Sequence, residues 1–321
     1  MFLGIASGGY LIHKKYFYTK GTKNMINIMF AGNYKVFDGM VLASLSIVKH
    51  TKEQVNVYIL TMDKTDLDPR YVAINNEQID YLQKIYSAAN PKNQVFKVDV
   101  IDLYNKYLDN TKNSQTTYTP YTLLRLLADK IDILPDKILY LDTDVMAYDD
   151  IGLLYNTDIT DYEVAMVKDY YGKVFINRKY CNAGVVLMNL AKIKETKMLE
   201  KALDQCINNK YVLADQTSLH KAIKYKLILP SRFNEQHKMH KDTVIRHFSM
   251  SLKFFPYFRK QNIKPWHIDK VHSVLKCHEF DDILEDYLSR KKEMDALIKL
   301  PNIEAKEEVP QENSAGEKKA V

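Results

Sequence analysis

A chain of 321 residues, 46% hydrophobic and 27% charged, can bury one large core or two modest ones, and one catalytic domain with additions is the simplest fit. The net charge of +6 comes from 46 Lys and Arg scattered against 40 Asp and Glu; with no basic stripe and no nucleic-acid motif, a nucleic-acid partner is not expected and anionic ligands are only weakly favoured. Cys181, Cys206 and Cys277 are odd in number and far apart, which argues against a disulfide framework or a Cys-x-x-Cys zinc site and points to a reducing compartment.

The only apolar run in residues 1–24, Phe2 to Ala6, is too short for a membrane span and lacks the preceding positive region of a signal peptide. Met25 stands just before the first convincing strand, so residues 1–24 read as an extension upstream of the real start. From Ile26 the run to Phe30 reads as a strand that stops at Ala31-Gly32-Asn33-Tyr34. Phe37, Met40, Val41, Ser44, Leu45 and Val48 then recur at helical spacing. A strand at Val55–Leu60, a helix around Glu77–Ala88 and a β-branched strand at Gln94–Val100 continue the alternation. Alternating strands and helices predict a mainly parallel sheet with helices on both faces, whose ligands bind beyond the carboxyl ends of the strands.

Pro120, with Thr119 before it as a candidate cap, opens a leucine-rich helix carrying a lone Arg125. That arginine either snorkels to the surface or aims a guanidinium at phosphate. The run Ile138-Leu139-Tyr140-Leu141 reads as a buried strand ending in Asp142-Thr143-Asp144. Strand alternation would put both carboxylates on one face, where hard oxygen ligands suit Mg²⁺ or Mn²⁺; a solvated turn is the bland alternative.

Glu163–Val167 reads as another strand, followed by a polar, Tyr-bearing loop from Asp169 to Lys179. Asn182-Ala183-Gly184 leads into a further strand, its small residues admitting a ligand close to the backbone or simply making a tight turn. One helix is expected around Lys194–Ile207, and Ala214-Asp215-Gln216 opens the next, where Asp215 could be only a cap. Val244-Ile245 reads as a strand delivering His247, ahead of Lys253 and of Lys264-Pro265-Trp266. Phe280–Leu300 reads as an amphipathic helix and Pro301–Val321 as a disordered tail.

Together the Asp-x-Asp strand, the Tyr121–Arg125 helix, Asn182-Ala183-Gly184-Val185, Asp215-Gln216, His247 and Lys264-Pro265-Trp266 stand in the order found in the family-8 glycosyltransferases. The resemblance runs from about Ile26 to His267. It implies a GT-A fold, a Rossmann-like mixed, mainly parallel sheet, over residues 25–267, with residues 268–300 as a C-terminal helical segment. The family includes retaining enzymes such as bacterial lipopolysaccharide galactosyltransferases and glycogenin. The resemblance further implies a hexose, glucose or galactose, moved from a UDP-sugar to a glycan, lipid-linked or protein-linked acceptor.

By the same resemblance, Asp142, Asp144 and His247 would hold Mn²⁺, with Mg²⁺ open, and mixed oxygen and imidazole ligation suits Mn²⁺ better. Asn33 and Tyr34 would hold uridine, the Tyr34 ring stacking on uracil. Arg125 would lie near the donor phosphates and sugar, and Thr143 is counted with the donor-binding residues. Asn182 and Gln216 would lie beside the reacting sugar, with Asp215 on its hydroxyls. Two departures stand out. Ala31 and Gly32 replace the acidic residues common before the Asn-Tyr pair, weakening the expectation for base selectivity. The phosphate-binding lysine divides between Lys253, which keeps the family's spacing from the histidine, and Lys264, which keeps the triplet; the triplet is the preferred criterion. Rival readings are a metal-dependent sugar nucleotidyltransferase and a non-catalytic carbohydrate-binding relative. A cytoplasmic location is expected, with peripheral association at the inner face of the membrane left open.

Overall fold

The computed structural model describes residues 25–109, 111, 113, 119–253, 255 and 257–297. The expected N-terminal extension and polar tail lie outside them. β1 (Met25–Ala31), α1 (Phe37–His50), β2 (Gln54–Thr61), α2 (Asn76–Ala89), β3 (Gln94–Asp99) and α3 (Ile101–Tyr107) alternate as the periodicity requires. A 3-10 helix, Pro120–Lys130, leads to β4 (Lys137–Leu141) and β5 (Val145–Ala147), then the single-turn α4 (Gly152–Tyr155). β6 (Val164–Lys168), the single-turn α5 (Gly172–Phe175) and β7 (Cys181–Asn189) follow. Next come α6 (Leu190–Thr196), α7 (Met198–Asn208), α8 (Ala214–Ala222), β8 (Lys226–Leu229) and β9 (Ile245–His247). A hairpin of β10 (Ser251–Lys253) and β11 (Arg259–Gln261) precedes α9 (Ile268–Ser273) and α10 (Asp281–Leu297).

Seven strands form one sheet in the order β3-β2-β1-β4-β7-β6-β8. Four neighbouring pairs are parallel, and the two made by β7 are antiparallel, so the sheet is mixed and mainly parallel as expected. Alternation divides each central strand between two cores. Ile26, Ile28, Phe30, Leu139 and Leu141 face one, with α1 and α2; Met29, Ile138 and Tyr140 face the other, with the 3-10 helix and α7. Burial on both faces explains why β4 reads as a continuous apolar run.

The topology gathers the chemistry at one edge. β1 and β4 are parallel neighbours, so Asn33 and Tyr34 after β1 and Asp142 after β4 emerge on the same side. β7 runs the other way, with Leu141 opposite Val185, so its first residues, Asn182 to Gly184, overshoot the end of β4 into the same edge.

Several local expectations are revised. Asp142 and Asp144 are not strand neighbours sharing a face: β4 ends at Leu141, and Asp142–Asp144 is the turn between β4 and β5, which pairs with β9 in a separate two-stranded sheet. The helix after Pro120 is 3-10 throughout, and Thr119 makes no side-chain cap. The single helix expected around Lys194–Ile207 is two, α6 and α7, broken where Lys197 takes the left-handed conformation, φ 57°. The cap position of α8 is Leu213, and Asp215 lies inside the first turn of the helix.

Gly39 of α1 fixes where the Asp142–Asp144 turn can lie, because a Cβ there would sit 2.3 Å from the Thr143 carbonyl oxygen and 2.5 Å from the Trp266 ring. Gly39→Ala should destabilise the protein by about 1–3 kcal/mol by overpacking, measured by urea denaturation. An unchanged midpoint would show that the turn yields without cost.

Candidate active site

Asp142 is anchored at backbone and side chain. Its N–H donates to the Gly184 carbonyl at 2.7 Å, extending the β4–β7 ladder by one residue. Its Oδ1 accepts from Tyr140 Oη at 2.7 Å and Arg125 Nη2 at 2.8 Å, which leaves Oδ2 facing His247 Nε2 at 3.7 Å. Asp144 is held by the Phe248 N–H, which donates to its carbonyl at 2.9 Å. Its Oδ1 lies 3.1 Å from His247 Nε2, and its Oδ2 accepts from Lys264 Nζ. Burial pushes the Asp144 carboxyl up, but the Lys264 ammonium and His247 beside it outweigh this and hold it well below the usual carboxylate range.

His247 arrives from the opposite side because β9 pairs with β5, with His247 opposite Val145. One oxygen from each carboxylate and one histidine nitrogen lie within 4.8 Å of one another. The tautomer of that histidine follows from a chain of bonds that starts at a backbone donor. The Gly184 N–H donates to Asn182 Oδ1 at 2.9 Å, so that atom is an oxygen, and Asn234 must offer it Nδ2, at 3.0 Å. Asn234 therefore turns Oδ1 to His247 Nδ1 at 3.1 Å, which must carry the proton. Metal binding needs the Nε2 lone pair, and with a proton on Nδ1 that lone pair points into the space shared with the two carboxylates. Convergent lone pairs repel one another unless a cation or proton lies between them, so the donor set suits a divalent ion.

Steric evidence agrees. A Cβ on Gly184 would fall 2.2 Å from His247 Cε1 and 2.8 Å from Asp142 Oδ2, so only glycine leaves this cradle open. A second group among the described residues, His272, His278 and Asp281, is a poorer candidate. Its imidazoles stack 4.7 Å apart and only 14° from parallel, which prevents both from aiming in-plane lone pairs at one ion.

Arg125 does not reach the surface. It is buried over the Tyr140 ring, 4.1 Å from its centroid, and donates from Nε to the Thr122 carbonyl, from Nη1 to the Ala183 carbonyl and from Nη2 to Asp142. Its Nε also lies 3.3 Å from Asp215 Oδ2. Burial works against its charge, but Asp142 and Asp215 outweigh that and raise its pKa. Asp215 goes the other way: burial lifts its carboxyl above the usual range against the pull of Arg125. Gln216 accepts the Ala183 N–H through Oε1 at 3.0 Å and so turns Nε2 to Asp169 Oδ2 at 3.3 Å. Asn182 Nδ2 donates to the same oxygen at 3.0 Å, and Asp169 Oδ1 accepts the N–H groups of Tyr171 and Gly172.

Asn33 is buried, donating to the Arg70 carbonyl at 3.1 Å, and Tyr34 beside it is half-buried, its N–H on the Val72 carbonyl. Thr143 presses its carbonyl against Gly39. The lysines divide clearly. Lys264 touches Asp144, whereas Lys253 is exposed on β10 and lines a cavity with Tyr171, His237 and Leu252. Asn234 and Asp169 hold the network together, yet neither was singled out from sequence; Asn234 lies 13 residues before its histidine with no motif between them.

Residues 25–270 match the family model described as glycosyl transferase family 8. The chain belongs to glycosyltransferase family 8. Similar curated proteins include a putative glycosyltransferase of Haemophilus influenzae, 27% identical over 86% of this chain and 81% of that one. A lipopolysaccharide 1,2-glucosyltransferase of Escherichia coli K12 is 32% identical over 31% of this chain and 33% of its own. Among solved structures, the galactosyltransferase LgtC, in complex with donor and acceptor sugar analogues, superposes with a TM-score of 0.57 at 18% identity, covering 85% of this chain and all of that one. The family-8 chain thus has the GT-A fold and is a glycosyltransferase. Among its described residues no helix is long and apolar enough to cross a membrane.

Asn234→Leu should leave His247 free to adopt either tautomer and weaken the binding of a divalent cation at this cluster about 10–100-fold, read by calorimetric titration. Wild-type affinity in that variant would show that Asn234 does not orient the ring.

Proposed function

We propose that this family-8 chain is a retaining enzyme that moves a hexose, glucose or galactose, from a UDP-sugar to a glycan, lipid-linked or protein-linked acceptor. Family membership supports the reaction class, and the names of a glucosyltransferase and a galactosyltransferase among its relatives support the choice of hexoses. The observation that carries the reading is the convergence of Asp142, Asp144 and His247 Nε2 with the histidine tautomer set by Asn234. These three residues would hold Mn²⁺, with Mg²⁺ as the alternative; bound there, the ion would offset charge growing on the departing UDP.

Lys264 lies at the same cluster and would supply a further positive charge to the diphosphate, braced by Pro265 before a partly buried Trp266 packed against the core. Asn33 and Tyr34 would take uridine at the neighbouring strand end, with Thr143 bordering the donor on the turn. Arg125 would act on the donor's phosphates and sugar through Asp142 and Asp215, the two carboxylates it holds. Asp215 would bind sugar hydroxyls, and Asn182 and Gln216, both fixed by Asp169, would flank the anomeric carbon. The Gln216 amide is a poor nucleophile, so retention is assigned to front-face attack. The C1–O bond to UDP breaks, the acceptor oxygen bonds C1 on the same face, and the acceptor proton passes to the leaving phosphate. A glycosyl-enzyme trapped on an Asp or Glu would overturn that step.

Two tests follow. EDTA should abolish turnover and Mn²⁺ should restore it best, and Asp144→Asn, which keeps an oxygen for Lys264, should lose activity by orders of magnitude while the fold survives, read by circular dichroism. Full activity in EDTA, with UDP released, would refute the cation site, and pyrophosphate as product would indicate a nucleotidyltransferase. Separately, Lys264→Ala should weaken UDP binding by about 1.5–3 kcal/mol and Lys253→Ala should change it little; a loss confined to Lys253→Ala would make the latter the phosphate ligand.

A further inference from the structure

Two exposed segments stand out from a surface that is otherwise mixed in charge. At the β10–β11 hairpin Phe255, Tyr257 and Phe258 are 88%, 80% and 62% exposed, and on α5 and the residue after it Val174, Phe175 and Ile176 are 71%, 64% and 56% exposed. A soluble protein rarely leaves large apolar side chains uncovered in such a cluster without a use for them. The two segments are tied together: Tyr171 Oη donates to the Leu252 carbonyl and accepts the Leu252 N–H, both at 3.1 Å.

Their charge is one-sided. Residues 170–180 contain Lys173, Arg178 and Lys179 and no acidic residue; residues 250–264 contain Lys253, Arg259, Lys260 and Lys264 and none either. Apart from Lys264, all these cations are exposed. Aromatic tips interleaved with Lys and Arg are the chemistry of a membrane interface, where rings enter the headgroup layer while cations meet anionic lipid. Protein–protein interfaces instead deplete lysine at their cores, and a second copy of this surface would meet it with like charge.

We propose that the β10–β11 hairpin and the α5 segment together form a docking surface for an anionic lipid bilayer. Both segments adjoin the active site along the chain: Asp169, which holds Asn182 and Gln216, precedes α5, and Lys264 follows β11. Docking through them brings the mouth of the site to the lipid surface, and on the glycosyl-transfer reading above this selects a lipid-linked acceptor.

The test is flotation of the full chain with vesicles of phosphatidylcholine and phosphatidylglycerol in equal parts, against phosphatidylcholine alone, with donor hydrolysis followed in parallel without vesicles. The full chain floats only with the anionic vesicles and is released by high salt. Phe255→Ser combined with Tyr257→Ser and Phe258→Ser, and separately Arg259→Glu with Lys260→Glu, each weaken partition about tenfold or more at unchanged melting temperature and unchanged hydrolysis. Flotation without hydrolysis supports the surface while sinking the functional reading. Hydrolysis without flotation overturns the surface, as does flotation equal in both variants, or a hairpin-dependent dimer that ignores vesicles and so makes this face a contact between copies.

Discussion

The site depends on the backbone of Gly184 more than on any charged side chain. Its carbonyl holds the Asp142 N–H, its own N–H orients Asn182, and its missing Cβ leaves the space occupied by the His247 ring and the Asp142 carboxylate. From that one residue the orientation passes through Asn182 and Asn234 to the proton on His247. Two carboxylates and an imidazole are brought together here because the surrounding structure holds each of them: two backbone bonds, a buried guanidinium and a lysine fix the three groups in place.

Positive charge is placed asymmetrically around that centre. Arg125 lies beneath it, between Asp142 and Asp215 against the ring of Tyr140, and Lys264 reaches Asp144 from the segment braced by Trp266. Arg125 is committed to protein partners on every nitrogen, so it shapes the carboxylates. Lys264 is partly exposed where Arg125 is buried, which makes it the side chain of the two that solvent, and so a ligand, can reach.

Much of the fold was legible because its strands are buried on both faces and read as apolar runs, and because helical spacing in α1 and α2 is regular. The motifs around Asp142, Asn182, Asp215, His247 and Lys264 carried the family, now shown by the match over residues 25–270. What periodicity could not show is how these pieces meet. Two aspartates one residue apart suggested strand alternation, but they converge because a turn is pinned by β7 on one side and by Phe248 on the other. Asn234 and Asp169 were opaque for the same reason: their importance lies in bonds to residues distant in sequence. The break at Lys197 was hidden because a left-handed residue other than glycine leaves no compositional mark. Lys253 keeps the spacing from the histidine, but the β10–β11 hairpin carries it to a cavity lined by His237 and Leu252, while Lys264 returns to Asp144.

The most direct measurement is pulsed electron paramagnetic resonance of Mn²⁺ bound to the full chain. A cation shared by Asp142, Asp144 and His247 requires nitrogen modulation from one directly bound imidazole, lost in His247→Ala and retained in Lys253→Ala. A spectrum showing only water and carboxylate oxygen around the ion, unchanged by His247→Ala, would contradict the site.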